Sequence, residues 1–370
     1  MQSNKLRMAI RSTAAVAILG VAGQASALEM SAGDVKASLY GYARLNMSYD
    51  LDDNLADPTQ SGLFSNITGS DIDGHFGASA NQSRVGINLE NKEGVKVNFE
   101  GDFYAGNFRI RKAYGEYNGL LAGQTWSNYN SFIGNTPTLD FTGAAGWAGY
   151  QLRTPQVRYT TGGLSVSVED PRNGGVLDNR GTAKDGMPAF TARFAGGSDA
   201  LSFSVAGLVK QSSIDDGSTV DESATGFAAF ADAKLALSDI LSIQGAINYS
   251  NGANAYLYNS GAADAYDDGS GLETISGIGA SIGASLGLGG GRSVNLALGM
   301  TQVDWDDAVD DGVTGAAGQA ETNQNLFLNY QWTPVANTMM GIEYQYWDTE
   351  TQSGNSEDAN RVMFAAQYNF

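Results

Sequence analysis

Arg44, Arg84, Lys96, Arg109, Arg111 and Arg158 fall on segments of the first 160 residues that alternate in polarity, and Lys112 follows Arg111 directly. Tyr40 and Tyr42 share the alternating face of Arg44. A guanidinium carries a rigid fork of donors that matches a carboxylate, so a row of them suits the handling of small anions. Other chemistries lack material. With no Cys and one His, His75, there is no ligand set for a cysteine or histidine metal centre and little for a Ser-His-Asp triad. His75 near Asp71 and Asp73 imitates a catalytic pair, but a lone loop histidine at a strand start reads as exposed to solvent. A barrel-embedded hydrolase is the rival enzyme class, and one His limits it. We expect no enzyme activity and no cofactor.

What must position these cations is set by the rest of the chain. Its 40 acidic and 21 basic residues give a net charge of −19, which argues against binding phosphate backbones, so no nucleic-acid partner is expected. Lys5, Arg7 and Arg11, the apolar run Ala14 to Gly23 and the small residues Ala25-Ser26-Ala27 form a secretory signal over residues 1–27. The mature chain, 28–370, then carries 18 basic residues against the same 40 acids. No later stretch approaches the ~18 apolar residues of a membrane helix. A soluble secreted protein and a transmembrane β-barrel remain.

The period separates them. Val362, Phe364, Ala366, Tyr368 and Phe370 share one face against Arg361, Gln367 and Asn369; Leu326, Leu328, Tyr330 and Trp332 stand against Asn325, Asn329 and Gln331; Leu241, Ile243, Ile247 and Tyr249 stand against Ser242, Gln244 and Asn248. This is strand alternation. The polar face is Ser, Asn, Gln and Gly, where a soluble sandwich would show Lys and Glu in quantity. Apolar toward lipid and neutral-polar toward water is the pattern of an outer-membrane barrel. Sixteen such segments run from 35–50 to 360–370, with short turns such as Asn118-Gly119 alternating with long loops such as 51–74, 131–152 and 251–271. The expected fold is all-β: one transmembrane antiparallel β-barrel of 16 strands, with short periplasmic turns, long outer loops and the third loop folded into the lumen.

The stretches Leu39-Tyr40-Gly41-Tyr42-Ala43-Arg44, Ser83-Arg84-Val85-Gly86, Arg109 to Glu116, Leu121-Ala122-Gly123-Gln124-Thr125-Trp126-Ser127 and Pro155-Gln156-Val157-Arg158-Tyr159 resemble the DcaP-like family of Gram-negative outer-membrane porins. The resemblance is strongest over the first 160 residues. It implies a trimeric diffusion channel of the bacterial outer membrane, often selective for small anions such as dicarboxylates, with Phe370 read by the barrel-assembly machinery. Family members can carry an N-terminal coiled coil, whereas only Leu28 to Asp34 precede the first strand here. The second outer loop, Ala105-Gly106-Asn107, is also too short for the latch some porins use between subunits.

Within such a barrel Tyr40, Tyr42, Arg44, Arg84, Lys96, Arg109, Arg111 and Arg158 line the lumen. The third loop, which includes Asn135 and Trp147, brings a single acid, Asp140. A net-positive constriction follows, unless the arginines are merely solvated or pair with Glu100, Asp102 and Glu116. Five outer loops hold 22 acids and no Lys or Arg. Solvated tips, screened from the throat, explain them; divalent cations bridging them to lipopolysaccharide are the sharper alternative. Gly277, Gly279, Ser281, Gly283, Ser285 and Gly287 read as an inward face with room for water or an inserted loop. In the fourth strand, regular alternation would put Lys112 and Glu116 on the lipid side; one extra residue at Arg111-Lys112, a β-bulge, would turn them inward, and the rival is a regular strand with the two paired at a subunit interface. A non-selective or cation-preferring porin and a plugged structural or adhesive barrel are the alternative functions.

Overall fold

The computed structural model describes residues 28–70 and 72–370. The expected signal segment 1–27 and Asp71 lie outside the described residues.

Sixteen antiparallel wall strands close on themselves. In order they are Val35–Asp50, His75–Ser79 continued by Arg84–Asn91, Lys96–Asp102, Arg109–Tyr117, Leu120–Trp126, Arg153–Thr161, Leu164–Glu169, Ala189–Gly197, Leu201–Asp215, Asp221–Ala236, Leu241–Asn251, Ser276–Gly289, Arg292–Val303, Ala320–Trp332, Thr338–Thr351 and Ser356–Asn369. Each pairs with its sequence neighbour. The last pairs with the first, Tyr42 opposite Asn369 through Asp50 opposite Arg361, and Phe370 exchanges both backbone hydrogen bonds with Gly41. Below that point the edge of the first strand is covered by Leu28–Ala32, which folds back as a hairpin with Leu28 opposite Leu39. The short connections have the backbone such hairpins need: Asn118 and Gly119 both lie at positive φ, 49° and 83°.

Alternation then fixes the faces. Phe99, Ile110, Val157, Val205, Ile247 and Leu328 are exposed on the outside of the wall. In water such a belt would be an aggregation surface; against lipid it is the stable arrangement. Two strand readings differ in detail. The segment 75–90 is interrupted at residues 80–83, where the Gln82 side chain accepts from Asn46 Nδ2 and Ser83 Oγ from the Arg44 amide. Leu272–Thr274 leaves the wall to form a small outer sheet with Val176–Leu177 and Ala265–Asp267.

The buried apolar clusters lie inside the barrel, between wall and loops. Tyr129, Ala148 and Tyr150 of loop 3 (127–152) pack with wall residues Leu208, Ala228 and Phe230 and with Tyr256 of loop 6 (252–275). Leu55 of loop 1 (51–74) meets Ala144 and Trp147 of loop 3 and the wall residues Phe327 and Trp347. Loop 6 also packs on loop 7 (304–319) through Tyr266 and Trp305. The reading of the acidic loops as solvated tips holds for Asp216, Asp268, Asp304, Asp306, Asp307, Asp310, Asp311, Glu357 and Asp358, which are exposed, but not for four acids of loops 1 and 6. Asp53, Asp57, Asp264 and Asp267 are buried, because these loops fold inward and need acceptors for their own backbone N–H groups. Asp53 accepts from the backbone N–H groups of Thr68 (2.5 Å), Gly69 (2.7 Å) and Ser70 (3.0 Å). Burial alone would raise its carboxyl, but those bonds and the Ser70 hydroxyl hold it below the usual carboxylate range.

Candidate functional site

Loop 3 leaves the wall at Trp126 and returns at Arg153, which are paired in register. Between them it crosses the lumen to the far wall, where glycines make room for it. A Cβ on Gly283 would collide with Thr136, and one on Gly299 with the backbone of Ala145. Polar wall groups then hold the loop backbone. Glu343 accepts from the amides of Leu139 (2.7 Å) and Asp140 (2.9 Å), Asp232 from that of Gly134 (2.8 Å), and Asn325 from that of Ala145 (3.0 Å). Asp140 turns toward loop 1, where it accepts from the Gly62 amide at 2.8 Å and lies 3.9 Å from Arg361.

The opposite wall carries the cations. On the strand Arg109–Tyr117 the register slips by one residue: Lys112 stands opposite Glu100 and Ile110 opposite Gly101, leaving Arg111 as the extra residue. The expected bulge is present, and it turns Arg111 and Lys112 to the same side. Two carboxylates serve the resulting cluster. Glu100 accepts from Arg111 Nε (2.9 Å) and Lys112 Nζ (3.0 Å), with Arg84 Nη1 at 3.7 Å. Asp102 accepts from Arg111 Nη1 (2.6 Å) and from Arg109 Nε and Nη2 (2.7 and 3.2 Å).

Aromatic rings interleave with the guanidinium groups. Arg84 lies 4.6 Å from the Tyr42 ring and 5.7 Å from Phe141 of loop 3; Arg111 lies 5.5 Å from Phe141 and 5.8 Å from Trp126; Arg153 lies 4.7 Å from Trp126. All fall within cation–π range. The sequence Tyr42, Arg84, Phe141, Arg111, Trp126, Arg153 therefore reads as one alternating stack from the wall across loop 3.

The sequence-predicted residues divide accordingly. Arg84, Arg109 and Arg111 meet in the cluster, and Tyr40 joins it through a 3.0 Å bond from its hydroxyl to Glu100. Arg44 lies nearby but buried beneath the loop 3 tip, donating to the Leu139 carbonyl at 2.5 Å and to Asn46 at 2.7 Å; the loop crosses over it, so it fastens the loop. Lys96 stands between Glu90 and Glu116 at the turn end of its strand, apart from the cluster. Arg158 is opposite Ser167, five positions along the strand from Arg153. In loop 3, Asn135 bonds to Gln151 within the loop, Trp147 packs on Tyr258 at 6.0 Å, and Asp140 faces loop 1, so none of the three is set against the basic wall. Sequence reasoning missed Arg153, Trp126, Phe141 and Glu343. Strict alternation with Pro155 and Val157 assigns Arg153 to the lipid side, and that rule stops governing where the strand gives way to the loop. Its position flanking loop 3 was the available signal.

A lumen constricted by an inserted loop in a closed 16-strand wall defines the outer-membrane porin class. The chain belongs to the DcaP outer membrane protein family, whose model matches residues 21–370. It is similar to the outer membrane channel DcaP of Acinetobacter baumannii, with 28% identity, a TM-score of 0.82, and 92% of this chain and 99% of that one covered. It shares the fold of an anion-selective porin from Comamonas acidovorans (14% identity, TM-score 0.60, 91% and 100% covered) and of the trimer form of OmpT from Vibrio cholerae (13%, 0.56, 91% and 99%). No curated protein sequence matches it. The protein is an outer-membrane protein of a channel family.

Proposed function

We propose that this channel passes small hydrophilic solutes with a preference for small anions such as dicarboxylates, through an arginine-lined constriction. The charge balance beside loop 3 carries the reading. Arg84, Arg109, Arg111, Lys112 and Arg153 stand against Glu100 and Asp102, an excess of three positive charges. Loop 3 faces them with Phe141, while its acid is held by loop 1. A water-filled pore selects where it is narrowest, and carboxylates more than a Debye length away, about 8 Å at physiological salt, are largely screened. The named selectivity of the Comamonas acidovorans neighbour supports the same direction.

In this reading residues 1–27 direct export, Phe370 is read by the barrel-assembly machinery, and the mature protein is a homotrimer seated in outer-membrane lipid and lipopolysaccharide. The trimer form of the Vibrio cholerae relative supports the assembly. The test is the reversal potential across a planar bilayer with a potassium chloride gradient. Anion preference is expected; clear cation preference would overturn the reading. The apolar packing of loops 1, 3 and 6 inside the lumen favours a second reading, a plugged structural barrel. Steady single-channel current in the same bilayer excludes it.

A further inference from the structure

The cations of the constriction are not equivalent. Arg111 is fully buried and bonded to two carboxylates, so no solute can touch it. Arg109 holds Asp102 through two bonds, Lys112 holds Glu100, and Arg84 lies 3.7 Å from Glu100 with its side chain only 14% exposed. Arg153 differs from all four in having no carboxylate within 4 Å, although Arg84 likewise makes no hydrogen bond and has a shielded, unpartnered Nε. Among the described residues it has neither a hydrogen-bond acceptor nor a carboxylate within 4 Å, its Nη1 is shielded without a partner, and the residue is half-buried rather than enclosed. It lies within the fields of Arg111, Arg109 and Arg84, which makes the loss of an acceptor there more costly still. Trp126, against which it lies, is braced by Phe132 of loop 3 at 4.9 Å. A guanidinium held by a ring and lacking an acceptor is prepared for a transient one.

We infer that Arg153 is the group that docks the carboxylate of a permeating solute, while Arg109, Arg111 and Lys112 supply field and rigidity through their fixed carboxylates. This rests on the anion-preferring reading and assigns its contact residue. A planar carboxylate presents two acceptor oxygens to the Nε–Nη2 edge of Arg153, the side of the fork that is not shielded, a geometry that a lysine ammonium cannot reproduce. No protein hydrogen bond is lost when Arg153 is replaced, so the variants remain folded barrels.

The experiment records single-channel current with malonate added, for wild type, Arg153→Lys, Arg153→Gln and Arg109→Lys. Arg153→Lys preserves the charge, and should leave the potassium chloride reversal potential in place while weakening malonate block about fivefold, the worth of one net hydrogen bond. Arg153→Gln should in addition lower the anion-over-cation permeability ratio about sixteenfold, as expected when one unit charge ~5 Å away in water no longer attracts the anion and no longer repels the cation. Arg109→Lys, which keeps the charge of the field, should weaken the block less than Arg153→Lys does. An anion-selective wild type whose malonate block is the same in Arg153→Lys, or is weakened equally by Arg109→Lys, overturns the inference and spares the channel reading. A cation-selective wild type overturns the channel reading, and the assignment of Arg153 with it.

Discussion

Arg111 illustrates how much a single side chain carries in this wall. It is buried against Glu100 and Asp102, whose side chains are also nearly inaccessible. Replacing it with Ala leaves two buried carboxylates short of a partner, a change that costs about 3–5 kcal/mol in comparable cases. We expect Arg111→Ala to lower the temperature of gel-monitored unfolding well below that of Arg109→Ala, since Arg109 has a 40% exposed side chain. Asp53 gives a pH-dependent counterpart outside the membrane span. Its folded carboxyl titrates below the unfolded value, so its contribution is complete above the ordinary range near ~3.9 and is lost as pH falls through the folded value. Amide exchange at Thr68 to Ser70, corrected for intrinsic rate, should therefore be equally slow at pH 7 and pH 5, and Asp53→Asn should accelerate it at both. Arg84, Arg109 and Arg111 were legible because each falls on the inward face of an alternating strand, whereas Arg153 sits where alternation stops governing. Glu343 was not: a single acid in an alternating strand carries no mark that it will accept two loop amides from residues some 200 positions away.

The bulge was legible at the scale of one strand, since an extra residue at Arg111-Lys112 keeps a lysine out of lipid without calling on a subunit contact. The glycines of the wall strand Ser276–Gly289 were legible for a similar reason, as an inward face too small to fill its own space. Contacts between loops were not, because their partners have no periodic signature. Lys210, from the wall strand Leu201–Asp215, is fully buried with its ammonium on Asp264 and on the Arg172 carbonyl (2.9 Å). Asp264 in turn accepts from the Gly174 amide (2.8 Å) and the Ala255 amide (2.9 Å). One ion pair thus fastens loop 4 (170–188) and loop 6 to the wall. Lys210→Met should make both loops susceptible to limited proteolysis while the wall strands stay protected, with a stability loss of about 3–5 kcal/mol. Cleavage unchanged from wild type would show that the apolar packing around Tyr256 suffices to hold them.

For the molecule as a whole, the exposed belt and the strand count were the most legible features, and the occupation of the outer lumen by loops was the least. Phe370 belongs to this scale because its ring sits over Gly41 while its backbone completes the pairing. Phe370→Ala retains the two backbone bonds, so refolding into detergent should persist and insertion in cells should fall. Deleting residue 370 removes the bonds as well, and should also slow refolding. The closing seam has a further meaning in time. Arg44 bonds to Gln367, 323 positions away, a contact far more distant in the chain than the neighbour pairings that build the other strands. Closing so long a loop costs entropy before it returns any stability, which makes the seam the slow step of folding. Until the final strand is in place, the first strand presents an unpaired edge to every other chain in the periplasm, the kind of edge that templates aggregation. A chain lacking Arg361 to Phe370 is therefore an open sheet, and its fate is decided by what finds that edge first.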